Sequence, residues 1–245
     1  MAEKQIRLDK FISEAAELTR KDAKAVLSKG RVTVNGTVCK NGDQKVSEND
    51  EICLDGKVLG GAEEFMYLML YKPAGVVSAT EDNRDKTVLD LVKEQIPLGK
   101  RKLFPVGRLD KDTEGLLLLT DDGELSHRLL SPKRHVDKVY YAKVAGMVPE
   151  DAVARFAEGI RVGQDYKALP AGLKVLSVSE EEQVSEVEIT LREGKFHQVK
   201  RMCHEIGCEV MYLKRLSMGG LVLDETLQPG ECRRLTEEEI ENVEK

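Results

Sequence analysis

Residues Gly107–Pro132 read GRLDKDTEGLLLLTDDGELSHRLLSP, and the rest of the chain is placed around them. Arg108 stands two positions before a carboxylate, Asp110. The apolar run Leu116–Leu119 follows, short enough for a buried strand and bounded by Gly115 and the turn-forming Asp121-Asp122-Gly123. Leu125, Leu129 and Leu130 then recur at helical spacing, and Pro132 stops the helix. Asp110 is therefore expected on a loop that leads into a core strand, with a short helix packed behind it. Loops held by rigid elements are where chemistry tends to be placed.

A length of 245 residues suits one large domain or two smaller ones. The apolar fraction of 41% supports a packed core, and 4% aromatics with no Trp make that core aliphatic. The formal charge of -6 excludes a globally basic nucleic-acid binder but not a local basic patch. Much of the acidity lies in Glu180-Glu181-Glu182 and the tail Glu237–Glu244, read here as solvated runs. Cys39, Cys53, Cys203, Cys208 and Cys232 are scattered without a Cys-x-x-Cys pair, which argues against a zinc knuckle or a disulfide framework. No metal is expected. The first residues lack the apolar core of a signal peptide, and no run approaches about 18 apolar residues. A cytoplasmic protein without a membrane partner is expected.

The central stretch resembles the signature of pseudouridine synthases, in particular their small-subunit ribosomal RNA (RsuA-like) branch. Gly107-Arg108-Leu109-Asp110, Asp112-Thr113, Gly115-Leu116 and Thr120-Asp121-Asp122-Gly123 carry the match. His127-Arg128-Leu129 and Ser131-Pro132 extend it toward the small-subunit type.

The first sixty residues read as a separate unit. Leu8, Phe11, Ile12, Ala15 and Ala16 form one apolar helical stripe. Thr19 can cap a second helix along which Ala23, Val26 and Leu27 recur, with Gly30 at its end. The strand Arg31–Val34 runs into Asn35-Gly36, a strong hairpin signal, and Asp50–Leu54 closes the unit before a turn at Asp55-Gly56. Arg7–Phe11 and Ser28–Gly36 resemble the S4-like RNA-binding domain. Arg20, Lys21 and Lys24 lie on the outward side of the second helix and Arg31 beyond its end, a cluster able to neutralise phosphates. A merely solvated amphipathic face is the alternative, because Glu14, Glu17 and Asp22 are close by. Domains are expected at 1–60 and 65–245, with residues 61–64 as linker.

In the larger domain Phe65–Tyr71 is an apolar strand and Lys72-Pro73-Ala74-Gly75 turns the chain, resembling the family's first motif with Tyr71 where Asn is usual. Thr87–Val92 suggests a short helix, and Lys100–Lys102 a cationic approach to Asp110. Lys138–Val144 alternates as a strand. It resembles the second motif, which implies that Tyr140 is the active-site tyrosine, while Tyr141 faces the other side. Val187–Leu191 is another strand, Glu193-Gly194 a turn, and Phe196–Ile206 a helix ended by Gly207. His197, Lys200, Arg201 and His204 share one face of that helix. Glu193–Met202 resembles the third motif, in which a basic residue pairs with the catalytic carboxylate; Lys200 aligns with it and Arg201 is the competing assignment.

The Asp-rich loop has rival readings. Asp110–Asp121 imitates a calcium loop, yet Glu114 stands where Asp or Asn is wanted and leucines follow instead of a helix. An aspartyl phosphatase would place its nucleophile after a buried strand, whereas here the apolar run comes after Asp110. A glycosidase-like pair, Asp110 and Glu114, remains open because their separation is not readable from sequence.

The resemblance implies an α+β protein: a small S4-like α/β RNA-binding domain, then a catalytic domain on a mixed, mostly antiparallel sheet with flanking helices. It implies isomerisation of a uridine to pseudouridine in 16S (small-subunit) rRNA by a monomer without a cofactor. A large-subunit relative and a non-catalytic ribosome-assembly protein are the alternatives. By resemblance, Asp110 acts at the sugar–base junction, Lys200 holds it ionised and Tyr140 packs on the uracil. Arg108 fills the space left by the flipped uridine, and Leu191 forms the apolar wall behind the base.

Overall fold

The structure, a computed structural model, describes residues 5–16, 18–47, 49–59, 65–131 and 134–244. The chain divides into two compact units, Met1–Glu64 and Phe65–Lys245. The linker expected at 61–64 and the helix stop at Pro132 fall outside the described residues.

In the first unit β1 (Ile6–Arg7) runs into α1 (Leu8–Ala15), and α2 (Arg20–Ser28) follows. Then come β2 (Val32–Val34), β3 (Thr37–Val38), β4 (Lys45–Val46), β5 (Ile52–Leu54) and β6 (Lys57–Leu59). Leu8 and Ile12 are fully buried with Ala23 and Leu27 of α2 and with Val32, Val46 and Ile52. Ala15 is exposed and lies off the stripe. The Thr19 hydroxyl accepts from the Asp22 amide at 3.2 Å, satisfying one of the donors a helix start leaves open. Asn35-Gly36 and Asp55-Gly56 both take left-handed φ values, 49° and 78°, then 52° and 78°. This is the backbone of a two-residue hairpin turn whose twist suits its strands. The antiparallel sheet runs β3-β2-β5-β6. The β6 strand and the two-residue β1–β4 ladder are too short to leave an alternating pattern in the sequence.

The second unit opens with β7 (Tyr67–Lys72), α3 (Val88–Lys93), β8 (Phe104–Pro105), β9 (Glu114–Thr120) and α4 (Gly123–Leu130). Next are β10 (Lys138–Ala145), α5 (Ala152–Glu158), β11 (Arg161–Val162), β12 (Tyr166–Lys167), β13 (Gly172–Ser179) and β14 (Val184–Leu191). It ends with α6 (Gln198–His204), β15 (Glu209–Met218), β16 (Leu221–Val222), β17 (Cys232–Arg234) and α7 (Glu237–Asn242). The main sheet runs β13-β14-β10-β15-β9-β7-β17, with β16 on β15 and β8 on β9. Among the described residues its strands pair antiparallel except β9 with β15.

The leucine run has a simple cause in this sheet. Leu116 and Leu118 pack with Leu125 and Leu129 of α4, while Leu117 and Leu119 pack with Val88, Leu89 and Val92 of α3. A strand covered on both faces reads as a continuous apolar run rather than an alternating one. By contrast β10 alternates strictly: Lys138, Tyr140, Ala142 and Val144 are buried, and the residues between them are half-buried. Of these, Tyr140, Ala142 and Val144 join Phe156 of α5, Ile189 and Leu191 of β14, and Val199 and Met202 of α6.

Three expectations are corrected. The helix expected from Phe196 begins at Gln198, because His197 takes a left-handed conformation (φ 49°, ψ 36°) as its N-cap. The basic run at 100–102 does not line an approach to Asp110. Arg101 pairs with Asp121 at 2.8 Å, beyond the C-terminal end of β9, whereas Asp110 precedes the N-terminal end. A seven-residue strand, about 20 Å, lies between them. The acidic tail is not simply solvated either. Glu239 accepts paired hydrogen bonds from Arg233 at 2.7 and 2.8 Å and caps α7 with Thr236, and Glu244 accepts from Arg128 at 2.5 Å.

Candidate active site

Asp110 sits on the loop between β8 and β9, and the segment after β7 grips that loop on both sides of it. The Ser78 hydroxyl donates to the Leu109 carbonyl at 2.9 Å and accepts from the Leu109 amide at 3.1 Å. The Gly75 amide donates to the Lys111 carbonyl at 2.7 Å. Lys72, fully buried, donates its ammonium to the carbonyls of Thr113, Pro73 and Lys111 at 2.7, 3.0 and 3.3 Å. Three acceptors match the three donors of an ammonium. Burial nevertheless lowers the Lys72 pKa to about 8, against the opposing pull of Asp112, Glu114 and Asp110. The backbone carrying Asp110 is thus fixed from 109 to 113.

The left-handed His197 starts α6 so that Lys200, one turn on, reaches back to this loop. Lys200 Nζ lies 3.2 Å from Asp110 Oδ2 and 2.6 Å from Asp112 Oδ1. His197 Nε2 lies 3.6 Å from Asp110 Oδ1. Burial alone would lower the Lys200 pKa, but hydrogen bonds and charges from Asp112 and Asp110 together raise it above the usual lysine range. Asp112 is correspondingly held below the usual carboxylate range, chiefly by its hydrogen bond from Lys200.

Strand register supplies the other walls. Tyr140 lies opposite Ile189 of β14, and Lys138 opposite Leu191. Tyr140 is buried on the site face; Tyr141 points the other way, edge-on to Tyr212 with ring centres 6.1 Å apart. Arg108, Asp110, Tyr140, Leu191, Lys200 and Leu213 bound a recess of about 80 Å³. It adjoins a cleft of about 1030 Å³ that Ser78, Arg108, Asp110, Lys138, Phe196 and His197 help to line. Arg108 is exposed and forms no hydrogen bond or ion pair with the described residues.

Asp110, Tyr140, Lys200, Arg108 and Leu191 are therefore brought together. Arg201 is not: its guanidinium pairs with Asp165 and lies 5.5 Å from the Tyr166 ring centre. Arg20, Lys21, Lys24 and Arg31 are exposed residues of the first unit, and Arg31 is engaged by Asp55. Sequence reasoning did not find Lys72, Ser78 or Lys138 as parts of the site. Lys138 is buried, donates to the Val136 carbonyl at 3.1 Å, and has its pKa lowered by burial and by Arg215. Its alternation with Tyr140 was the available signal. Among the described residues no group of three or more His, Cys, Asp or Glu could hold a metal ion.

The RNA pseudouridylate synthase family model matches residues 66–205, which include every residue of the recess except Leu213. The chain belongs to that family. The S4 domain model matches residues 6–52, so the first unit is an S4 domain. The synthase is 45% identical to ribosomal small subunit pseudouridine synthase A of Pasteurella multocida, over 96% of this chain and 98% of that protein. It is 43% identical to an uncharacterized RNA pseudouridine synthase, YtzG, of Bacillus subtilis, over 96% and 97%. Ribosomal large subunit pseudouridine synthase B of Bacillus subtilis is 39% identical over 97% and 95%. A crystal structure of a pseudouridylate synthase superposes with a TM-score of 0.66 at 41% identity, covering 97% of this chain and 99% of that one. The protein is an isomerase that converts uridine to pseudouridine in RNA. No helix among the described residues is long and apolar enough to cross a membrane.

Proposed function

We propose that the synthase modifies a uridine of small-subunit (16S) rRNA, in the cytoplasm and as a monomer, and that Asp110 is its catalytic carboxylate. The observation that carries the site assignment is the ion pair of Lys200 with Asp110 at 3.2 Å on the edge of a recess walled by Tyr140 and Leu191. The reaction breaks the bond between ribose C1′ and uracil N1, turns the base and rejoins it through C5. No atoms are gained or lost, so the balance calls for no oxidant and no second substrate. The reaction needs a carboxylate at the sugar–base junction, and Lys200 sets its ammonium 3.2 Å from Asp110 Oδ2. Tyr140 packs on the uracil and is the group placed to receive the C5 proton. Leu191 walls the apolar side of the base. Arg108, exposed and unpaired within the described chain, is free to occupy the gap in the RNA stack once the uridine is flipped, a displacement of a few kcal/mol. Lys200 fits the role of partner better than Arg201, whose charge is taken by Asp165.

The S4 domain, residues 1–60 in this reading, holds the RNA backbone through Arg20, Lys21, Lys24 and Arg31, while residues 65–245 carry the chemistry. The small-subunit target is supported by the relatives that bear that name at 42–45% identity. The large-subunit relative at 39% keeps a second target class in view.

The deciding experiment maps pseudouridine in both rRNAs, by carbodiimide-stop sequencing, in cells with and without this gene. One small-subunit signal should vanish and return with the wild type but not with Asp110→Asn. Loss of a large-subunit signal instead would keep the chemistry and replace the target. Restoration by Asp110→Asn would remove Asp110 from the mechanism.

A further inference from the structure

Phe196 is the most exposed large apolar side chain among the described residues, at 73%, and nothing in the mechanism above uses it. Single exposed apolar residues are common on protein surfaces and need no explanation. This one differs in three respects. It lines the large cleft rather than the outer surface. Its ring is not loose but lies nearly parallel on the His197 imidazole, with centres 3.8 Å apart and planes 17° apart. And the turn that presents it depends on His197 in a left-handed conformation, uncommon outside Gly but one that His, like Asn and Asp, enters more often than other residues.

That turn is tied down. The Gln198 amide donates to the Lys195 carbonyl at 3.2 Å, and the Lys195 amide donates to the Gln198 side chain at 2.9 Å. The Arg201 amide accepts His197 into the helix by donating to its carbonyl at 2.9 Å. A continuous series results: the open face of Phe196, then His197, then Asp110, 3.6 Å from His197 Nε2. Arg108 and Lys195 line the same cleft and bring positive charge within its walls.

A flat, ordered, solvent-facing ring beside cationic side chains is the combination that binds unpaired nucleobases: the ring stacks a base while the cations meet its phosphates. We propose that Phe196, backed by His197, is a stacking platform for the nucleotide next to the flipped uridine. The proposal rests on the reading of this cleft as the RNA site. Stacking accepts every base, so Phe196 sets affinity and position rather than sequence preference. It holds the strand next to the carboxylate while the target base is out of its own stack.

Two measurements test it. The first follows pseudouridine formation on small-subunit rRNA from cells lacking this gene, with wild type, Phe196→Leu and Phe196→Trp. Leucine should raise KM roughly ten-fold, the loss of one stacked base, with kcat changed far less. Tryptophan should keep the wild-type KM. A leucine variant equal to wild type, or leucine and tryptophan variants equally impaired, would overturn the platform. The side chain is exposed, so all three proteins should melt alike. The second measurement does not depend on the target: a single-stranded oligoribonucleotide alternating uridine and 2-aminopurine is titrated with each protein. Its fluorescence should be quenched more by wild type and Phe196→Trp than by Phe196→Leu. Equal quenching by all three would sink the idea. A wild type that quenches the oligonucleotide but forms no pseudouridine in that rRNA would overturn the target reading and leave the platform standing.

Discussion

Lys200 serves two carboxylates with one ammonium, and the nearer of them is Asp112 rather than Asp110. With Lys200→Met both acids would face each other uncompensated at the mouth of the recess, and preorganised charge at a reacting centre is worth most where water is partly excluded. The expected outcome is a kcat lower by roughly 10²–10³-fold with KM little changed, read from steady-state kinetics on rRNA. Lys200→Arg should retain much of the rate, since a guanidinium fork can meet two carboxylate oxygens at once. A methionine variant as active as wild type would show that Asp110 works without its partner. At this scale the sequence was partly legible. Residue types alone put Asp110 on a loop leading into a core strand; the roles proposed for Asp110, Tyr140 and Lys200 came from the motif resemblance. Lys72 was legible only as the start of a turn motif and Ser78 not at all, because what they bind is backbone 39, 41 and 31 residues away, which no residue type announces. A lysine beside a proline reads as an exposed turn, since buried lysines are rare.

Gly115 decides whether the β9–β15 pairing can form. It pairs with Arg215 in the parallel ladder at φ +103°, and a Cβ on it would stand 2.2 Å from the Arg215 carbonyl oxygen. The obstacle is backbone and cannot swing aside. Gly115→Ala should therefore cost about 4 kcal/mol or more in urea unfolding, or leave little soluble protein. Gly123→Ala is the control, because nothing lies within 4 Å of its Cβ and it begins α4; it should be neutral or slightly stabilising. In the S4 domain, α2 presents Arg20, Lys21 and Lys24 to solvent. If they meet phosphates, replacing all three by alanine should flatten the plot of log affinity against log salt by about 2, some 0.7 per contact. Arg31→Ala should change it less, because Asp55 already holds that guanidinium. An unchanged slope in the triple variant would make this face a solvated one. Several longer strands and helices were legible here, but α5 and β13 were not, and β13 buries too few of its residues to leave an alternating pattern. The start of α6 was not: apolar and basic residues at 196 and 197 continue the helical spacing, and only tertiary packing turns His197 left-handed.

Over the whole molecule, charge and cysteine content were readable as totals, whereas their consequences depend on burial. All five cysteines are free, and four of them are buried. Burial pushes the Cys203 thiol up to about 12, helped by Cys208, and Cys232 to about 11; Cys208 is raised as well. An unfolded cysteine ionises near ~8.5. Between that pH and the folded values the unfolded chain has released protons that the folded chain keeps, so it binds fewer, and stability falls as pH rises. Lys72 works in the opposite sense. Its folded pKa of about 8 lies below the unfolded ~10.4, so between these values the unfolded chain holds the extra proton and stability rises with pH. Lys138, also lowered by burial, acts in the same sense as Lys72, so three raised thiols oppose two lowered lysines and the net slope above pH ~9 should be negative. Urea unfolding of the larger unit, followed by circular dichroism under reductant from pH 7.5 to 10, reads it directly. Each group contributes at most about 1.4 kcal/mol per pH unit. Cys203→Ala should make the decline shallower by up to that amount. Lys72→Met should make it steeper, even though it also lowers stability at neutral pH by stranding the carbonyls of Thr113, Pro73 and Lys111. Opposite changes of slope in the two variants would establish both buried groups as titrating. The same slope in all three proteins would mean that neither thiol nor ammonium is shielded as the fold implies.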